Sequence, residues 1–135
     1  MKFSRLKIMK TALEEYFTPV AERGVGNRAF IHPGFPNSIF MEYIEHGEAF
    51  YTLLDETTYH SIKSYKWEGF NEYVVRADAH GTYLHRVVCE NLELGMIAHH
   101  KGDRFDNRSE MIEAVERRMH DQHRTYRGDL VLSVI

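Results

Sequence analysis

Two adjacent histidines, His99 and His100, follow the apolar residues 95–98, and a third, His120, lies further along the chain. Imidazole is the commonest metal ligand in proteins and the usual acid or base near neutral pH. Neighbouring side chains on a strand point to opposite faces, so one histidine of the pair can bind a metal while the other faces a substrate. We therefore expect His99 and His120 to share a metal ion. Imidazole suits zinc, nickel or iron, and it can also contribute to Mg²⁺ or Mn²⁺ sites.

The composition of the chain limits which functions are possible. The 135 residues include 9 histidines, 17 basic and 20 acidic side chains, which give a formal net charge of −3. This charge excludes a protein that coats nucleic acid through charge alone. The hydrophobic fraction of 43% is enough for one packed domain. The single cysteine, Cys89, excludes a disulfide framework and, with no apolar run of membrane-spanning length, predicts a cytoplasmic protein without a membrane partner.

The N-terminal residues 1–38 are expected to form a helical arm and a loop. Apolar side chains recur at spacings of three and four over residues 1–23, which predicts a helix that Pro19 ends or kinks. Its opposite face is either an ordinary solvated face or a small basic patch. That face carries Lys2, Arg5, Lys7 and Lys10. Dimerisation, DNA contact and partner binding are all open as roles for this arm.

The remaining residues, 39–135, are expected to form a second unit that begins with a β-hairpin. Aromatic and β-branched runs over residues 39–44 and 49–54 predict its two strands, joined by Glu45-His46-Gly47. Asp55 is then expected to cap a helix over residues 56–65.

The second half of this unit contains weaker patterns. Residues 73–76 predict a third strand and residues 79–81 a turn, while residues 85–89 fit a strand or a helix. Residues 109–124 have helix-forming composition, and the run 130–135 predicts a strand at a sheet edge.

Two segments of the chain together resemble the HNH endonucleases of phages and mobile introns. The first contains Leu84-His85-Arg86, and the second, residues 95–110, contains His99-His100, a glycine-containing loop and Asp106-Asn107-Arg108. The upstream residues 54–60, 66–67 and 73–76 are similar to the segment that precedes the nuclease core in phage members. The resemblance covers roughly residues 48–124.

The resemblance implies a role for each matching histidine. His99 takes the place of the first metal ligand, His100 that of the general base that deprotonates the attacking water, and His120 that of the second metal ligand. The resemblance also implies one divalent ion, Mg²⁺, Mn²⁺ or Ni²⁺. The predicted fold class is α+β, with an N-terminal helix, a small antiparallel sheet and a ββα-metal (HNH-like) core within residues 39–135. In this core the family pattern makes residues 111–114 a strand and begins the helix later, whereas local composition makes residue 109 onward one helix.

Phosphodiester cleavage also needs cationic groups that contact the phosphate. The candidates for DNA binding are Arg86, Arg104 and Arg108. An alternative for Arg108 is a local ion pair with Asp106 or Glu110. His85 and Asn107 are expected to be structural residues near the site.

The chain departs from the family pattern near His100. Met111 stands where the family has an asparagine that orients the catalytic histidine through hydrogen bonds, which a methionine side chain cannot make in that way. The loop after His100 is also shorter than usual, and an alternative register makes His99 the base with Ala98 at the first ligand position. A structural zinc site is a further alternative. Its ligands would be Cys89, His99, His120 and His123.

Two functions are compatible with these patterns. The first is a metal-dependent HNH endonuclease that hydrolyses a phosphodiester of double-stranded DNA. The second is a catalytically degenerate HNH scaffold that binds and inhibits a nucleic-acid-handling protein, such as a defence nuclease of a phage host (an anti-CRISPR type of role). Met111, the short loop and the net charge favour the second function. So does the acidic stretch, residues 29–62, whose five acidic side chains and lack of lysine and arginine suit a basic partner.

Overall fold

A computed structural model describes residues 2–20, 26–117 and 126–133 of the chain. Strands hold 50% of the structure and helices 19%, with three helices beside a large mixed sheet. The predicted α+β class, with its N-terminal helix, small antiparallel sheet and ββα-metal core, is therefore wrong. The fold is β-rich, because segments with local helical patterns are paired as strands.

The elements of the described residues follow in chain order. They are β1 (Lys2–Ile8), α1 (Lys10–Tyr16), β2 (Thr18–Pro19), β3 (Ala29–Ile31), β4 (Ser38–Glu45), β5 (Glu48–Asp55), α2 (Glu56–Ile62), β6 (Trp67–Phe70), β7 (Tyr73–Arg76), β8 (Ala79–Tyr83), α3 (Leu84–Val88), β9 (Met96–His100), a 3₁₀ turn (Ser109–Met111), β10 (Ile112–Glu116) and β11 (Tyr126–Leu132).

The strands of the described residues form three sheets. The largest has the order β11-β1-β5-β4-β3-β2, in which β11 runs parallel to β1 and the other pairs are antiparallel. A three-stranded sheet has the order β6-β7-β8, and β9 pairs with β10 in an antiparallel hairpin. None of the helices in the described ranges is long and apolar enough to cross a bilayer.

The N-terminal residues differ from the predicted helical arm. Residues 2–8 form β1, whose inward positions are Ser4, Leu6 and Ile8, and only Lys10–Tyr16 of the predicted helix is helical. Ser4 is buried at one of these inward positions. Its hydroxyl donates a 2.8 Å hydrogen bond to the backbone oxygen of Arg127 on β11, which compensates for the loss of water. A polar residue at an inward position hides the alternation that marks a strand, and this explains the wrong prediction.

Two basic residues of β1, Arg5 and Lys7, pair with acidic residues of other strands of the large sheet. Arg5 lies 2.8 Å from Asp129 and 3.3 Å from Glu45, and Lys7 lies 2.9 Å from Glu48. Glu45 is buried, so its partner Arg5 compensates a charge that would be costly alone. Arg5 and Lys7 of the predicted basic patch therefore pair with Glu45 and Glu48 of the acidic stretch within the large sheet.

The predicted hairpin at residues 39–54 is confirmed as β4 and β5. His46 and Gly47 connect the strands with positive φ values of 51° and 79°, the conformation that a tight two-residue hairpin requires. The helix after Asp55 is also confirmed, although it ends at Ile62. The Asp55 carboxylate does not cap this helix. It accepts a 2.8 Å hydrogen bond from the backbone N–H of Ser109 instead.

The later elements confirm some of the predictions and correct two others. The strand over residues 73–76 is confirmed as β7, but the predicted turn at 79–81 lies within β8, and residues 84–88 form the short helix α3. The helix that local composition predicts over 109–124 is wrong up to residue 116, where the chain forms the 3₁₀ turn and β10. Residues 118–124 of that prediction lie outside the described residues. The strand that the family pattern implies over residues 111–114 overlaps β10. The predicted C-terminal strand is confirmed as β11, which begins earlier, at Tyr126.

Two hydrophobic clusters hold the elements together. One contains Tyr43, Phe50, Tyr59 and Trp67, with Leu84 of α3 and Ala98 of β9, and so joins the large sheet to the two smaller ones. Tyr59 and Trp67 are thus core residues. The other cluster packs α1 and Phe105 against the large sheet, with Leu6, Phe40, Tyr51 and Leu53 among its members.

We predict that Gly69→Ala destabilises the fold. A Cβ atom at Gly69 in β6 would overlap the Cβ of buried Glu45 and lie 2.7 Å from its Oε1 atom. Overpacking of this kind costs about 1–3 kcal/mol in the free energy of unfolding. Urea denaturation measures it, with Gly81→Ala as the control because a Cβ at Gly81 meets no atom within 4 Å. Equal midpoints for the two variants would contradict the packing described here.

Candidate functional site

The hairpin of β9 and β10 positions the two adjacent histidines. Along its ladder His100 is opposite Ile112 and His99 is opposite Glu113. Because side chains alternate along a strand, the two imidazoles lie on opposite faces of the hairpin, as expected. His100 is only 4% exposed, whereas His99 is half-buried on the face that it shares with Glu113.

A chain of buried hydrogen bonds orients His100. Its Nε2 atom lies 2.8 Å from Oδ1 of Asn107, and Nδ2 of Asn107 donates a 2.8 Å hydrogen bond to Oγ1 of Thr52. The Thr52 hydroxyl in turn donates to the backbone oxygen of Phe105 at 2.8 Å. Thr52 is 0% exposed and Asn107 is 2% exposed, so solvent does not compete for these bonds.

This chain of bonds assigns the tautomer of His100. The Thr52 hydroxyl uses its proton for Phe105, so it accepts from the amide group of Asn107, and the amide oxygen must face His100. The Nε2 atom is therefore the protonated nitrogen that donates to Oδ1. In the neutral ring Nδ1 is then the nitrogen that carries the lone pair, and it is the basic atom of the site.

The loop between β9 and β10 is anchored on the large sheet. The backbone N–H of Leu53 donates to the oxygen of Phe105 at 3.0 Å, and the N–H of Asn107 donates to the oxygen of Leu53 at 2.9 Å. On the other side, Asp103 accepts a hydrogen bond from the N–H of Phe3 at 2.6 Å. The loop thus lies between β1 and β5, and β5 supplies Thr52 directly to the site.

Aromatic rings surround His100 on its buried face. The ring centroids of His85 and His100 are 4.7 Å apart, and Tyr73 stacks on His85 with its ring centroid at 5.1 Å and an interplanar angle of 23°. His85, which the sequence predicts to be a structural residue near the site, lies on α3 and is 9% exposed. Tyr73, from β7, was not anticipated from the sequence.

Two of the three candidate DNA-binding arginines are engaged within the protein. Arg108 makes a bidentate contact with Asp106 at 2.7 and 2.9 Å, and these hydrogen bonds raise the pKa of the Arg108 guanidinium above its ordinary value. Arg104 is stacked between the rings of Tyr73 and Tyr126, with its Cζ atom 4.3 and 4.1 Å from their centroids. Such cation–π contacts hold the guanidinium plane in one orientation.

Arg86 is the remaining candidate. It is exposed on α3 and lines a shallow groove with Tyr83 and Leu92. Of the three arginines, its side chain is the most accessible to a phosphate.

Met111 does not take part in the orientation of His100. Its backbone oxygen accepts from the N–H of Lys101 at 2.9 Å, and its side chain packs so closely on Gly102 that a Cβ there would lie 2.6 Å from Met111 Cε. The amide that orients His100 comes from Asn107 instead. His100 therefore has an orienting amide even though position 111 is a methionine.

The predicted metal ligands are only partly described. His120, the second predicted metal ligand, lies outside the described residues. His123, which with His120 belongs to the alternative zinc site, also lies outside them. His99 and Glu113 are cross-strand neighbours on one face, and imidazole and carboxylate are chemically suitable donors for a divalent ion. No group of three or more potential donors is present within residues 2–20, 26–117 and 126–133, so these residues do not by themselves form a complete metal centre.

The thiol of Cys89 lies at the end of α3. Burial raises the pKa of this thiol above its ordinary value, which favours the protonated form over the thiolate that zinc binds.

No protein-family model, no curated protein and no solved structure matches this chain.

We predict that Asn107→Leu destabilises the protein by about 1–3 kcal/mol, because it leaves a buried imidazole N–H without its acceptor. Chemical denaturation measures the loss, with Glu110→Ala on the exposed 3₁₀ turn as the control, for which less than about 0.5 kcal/mol is expected. If the two variants unfold at the same denaturant concentration, the buried hydrogen-bond chain does not have the strength inferred here.

Proposed function

We propose that this protein is a metal-dependent endonuclease that hydrolyses phosphodiester bonds of double-stranded DNA, with His100 as the general base. The hydrogen-bond chain through Asn107 to Thr52 is the observation that carries the proposal. A base whose orientation is fixed by a second group, itself fixed by a third, is a recurring arrangement in hydrolytic sites. The resemblance of residues 95–110 to HNH endonucleases supports the same role for His100.

In this reaction Nδ1 of His100 accepts a proton from the attacking water. The resulting imidazolium keeps its Nε2–H bond to the amide oxygen of Asn107, whose partial negative charge stabilises the new positive charge. Burial makes this interaction stronger than it is in water. Arg86 is the arginine that we expect to contact the DNA backbone, because its side chain is exposed.

The proposed divalent ion, Mg²⁺, Mn²⁺ or Ni²⁺, is assigned to His99 and His120. When bound, such an ion neutralises charge on the scissile phosphate and on the leaving oxygen. Glu113 lies beside His99 and adds a carboxylate oxygen, which Mg²⁺ and Mn²⁺ prefer as a ligand.

We predict that the protein nicks supercoiled plasmid in the presence of a divalent ion and that His100→Ala lowers the rate by about 10²–10⁴-fold, the usual contribution of a general base. Gel electrophoresis of plasmid incubated with Mg²⁺, Mn²⁺ or Ni²⁺ measures the rate. His80→Ala is the matched control, because His80 is an exposed histidine on β8. Absence of nicking with every ion, or full activity of His100→Ala, would contradict the proposal.

We also predict that removal of the ion abolishes nicking. Excess EDTA should stop the reaction and added Mn²⁺ should restore it, while His99→Ala should raise the ion concentration needed for half-maximal rate by about 10–100-fold. His80→Ala, an exposed histidine on β8, is the control for a general effect of histidine removal. Nicking that persists in EDTA would exclude the metal requirement.

The scaffold that binds and inhibits another protein is the second candidate. The observation that favours it is the engagement of Arg104 and Arg108 by neighbouring side chains, which lowers the number of arginines available to DNA. The acidic stretch favours a basic partner less than the sequence suggested, because Glu45 and Glu48 of that stretch pair with Arg5 and Lys7. A protein that binds a nuclease but never nicks plasmid would support this candidate.

A further inference from the structure

We infer that Thr52 is a positioning residue that sets the tautomer of His100, and this inference deepens the proposed function because it assumes that His100 is the base. Thr52 lies on β5 of the large sheet, 55 residues from Asn107 in the sequence, and does not touch the hairpin strands by backbone pairing. Its hydroxyl nevertheless determines which end of the Asn107 side chain faces His100.

The physical basis is the symmetry of a carboxamide. Rotating the Asn107 side chain by half a turn exchanges its oxygen and its NH₂ group with almost no change of shape, so packing alone does not select one orientation. The Thr52 hydroxyl donates to the oxygen of Phe105 and therefore offers Asn107 only an acceptor. This arrangement directs the NH₂ group to Thr52 and the oxygen to His100.

The consequence for catalysis follows from the imidazole ring. With the amide oxygen towards Nε2, the neutral ring is protonated on Nε2 and basic on Nδ1. With the NH₂ group towards Nε2, the proton moves to Nδ1, and the atom that must accept a proton from water is already protonated. A base held in the wrong tautomer loses most of its catalytic effect.

The test compares Thr52→Val, which keeps the shape and removes the hydroxyl, with Thr52→Ser, which restores it. Long-range ¹H–¹⁵N NMR on metal-free protein, at a pH where the imidazole is neutral, reports which nitrogen of His100 carries the proton. We expect Nε2–H in the wild type and in Thr52→Ser, and a loss of the single Nε2–H form in Thr52→Val. Thr57→Val, at an exposed position of α2, is the matched control and should leave the spectrum unchanged.

The nicking assay then connects the tautomer to the reaction. We expect Thr52→Val to lower the rate about tenfold or more, and Thr52→Ser to restore most of it. An unchanged His100 spectrum in Thr52→Val would overturn the inference, whatever the activity. Absence of nicking by the wild type would instead contradict the proposed function, and the NMR comparison would still decide the role of Thr52.

Discussion

The backbone pairing of Leu53 with Phe105 and Asn107 is the contact on which the candidate site depends. Through it, the loop between β9 and β10 is held against β5, and the buried hydroxyl of Thr52 comes within hydrogen-bond distance of Asn107. The large sheet therefore does more than support the hairpin. It supplies Thr52, one of the two side chains that orient His100, so the site is built from two sheets.

The large sheet also brings together charged side chains of opposite sign. Residues that look like a basic patch in β1 and an acidic surface in β4 and β5 lie far apart in the sequence, but the sheet places Arg5 and Lys7 beside Glu45 and Glu48. Net charge and charge runs therefore describe this surface poorly. What remains accessible near the site is set by local pairs, such as that of Arg108 with Asp106, rather than by the sum of charges.

The parts that the sequence predicted well are those with a strong local pattern. The hairpin of β4 and β5 has aromatic and β-branched runs and a His46-Gly47 turn. The strand β1 was missed because Ser4 occupies an inward position. Local composition also misses β10, because residues 109–116 favour a helix until β9 pairs with them, and only the family pattern implied a strand there. Thr52 was missed since its partner is distant in the sequence. Its only local signal is a polar residue inside the apolar run of β5.

The parallel pairing of β1 with β11 has a consequence for how the molecule folds. Arg5 and Asp129 are separated by 124 residues, so this contact closes one of the longest loops that the chain can form. Closing such a loop costs conformational entropy before any contact repays it, and folds dominated by distant pairings are slow to form. Before β11 pairs with it, β1 is an edge strand whose unpaired backbone N–H and C=O groups can bind another extended chain. The pairing of β11 with β1 covers this edge, and β11 becomes the edge strand of the large sheet.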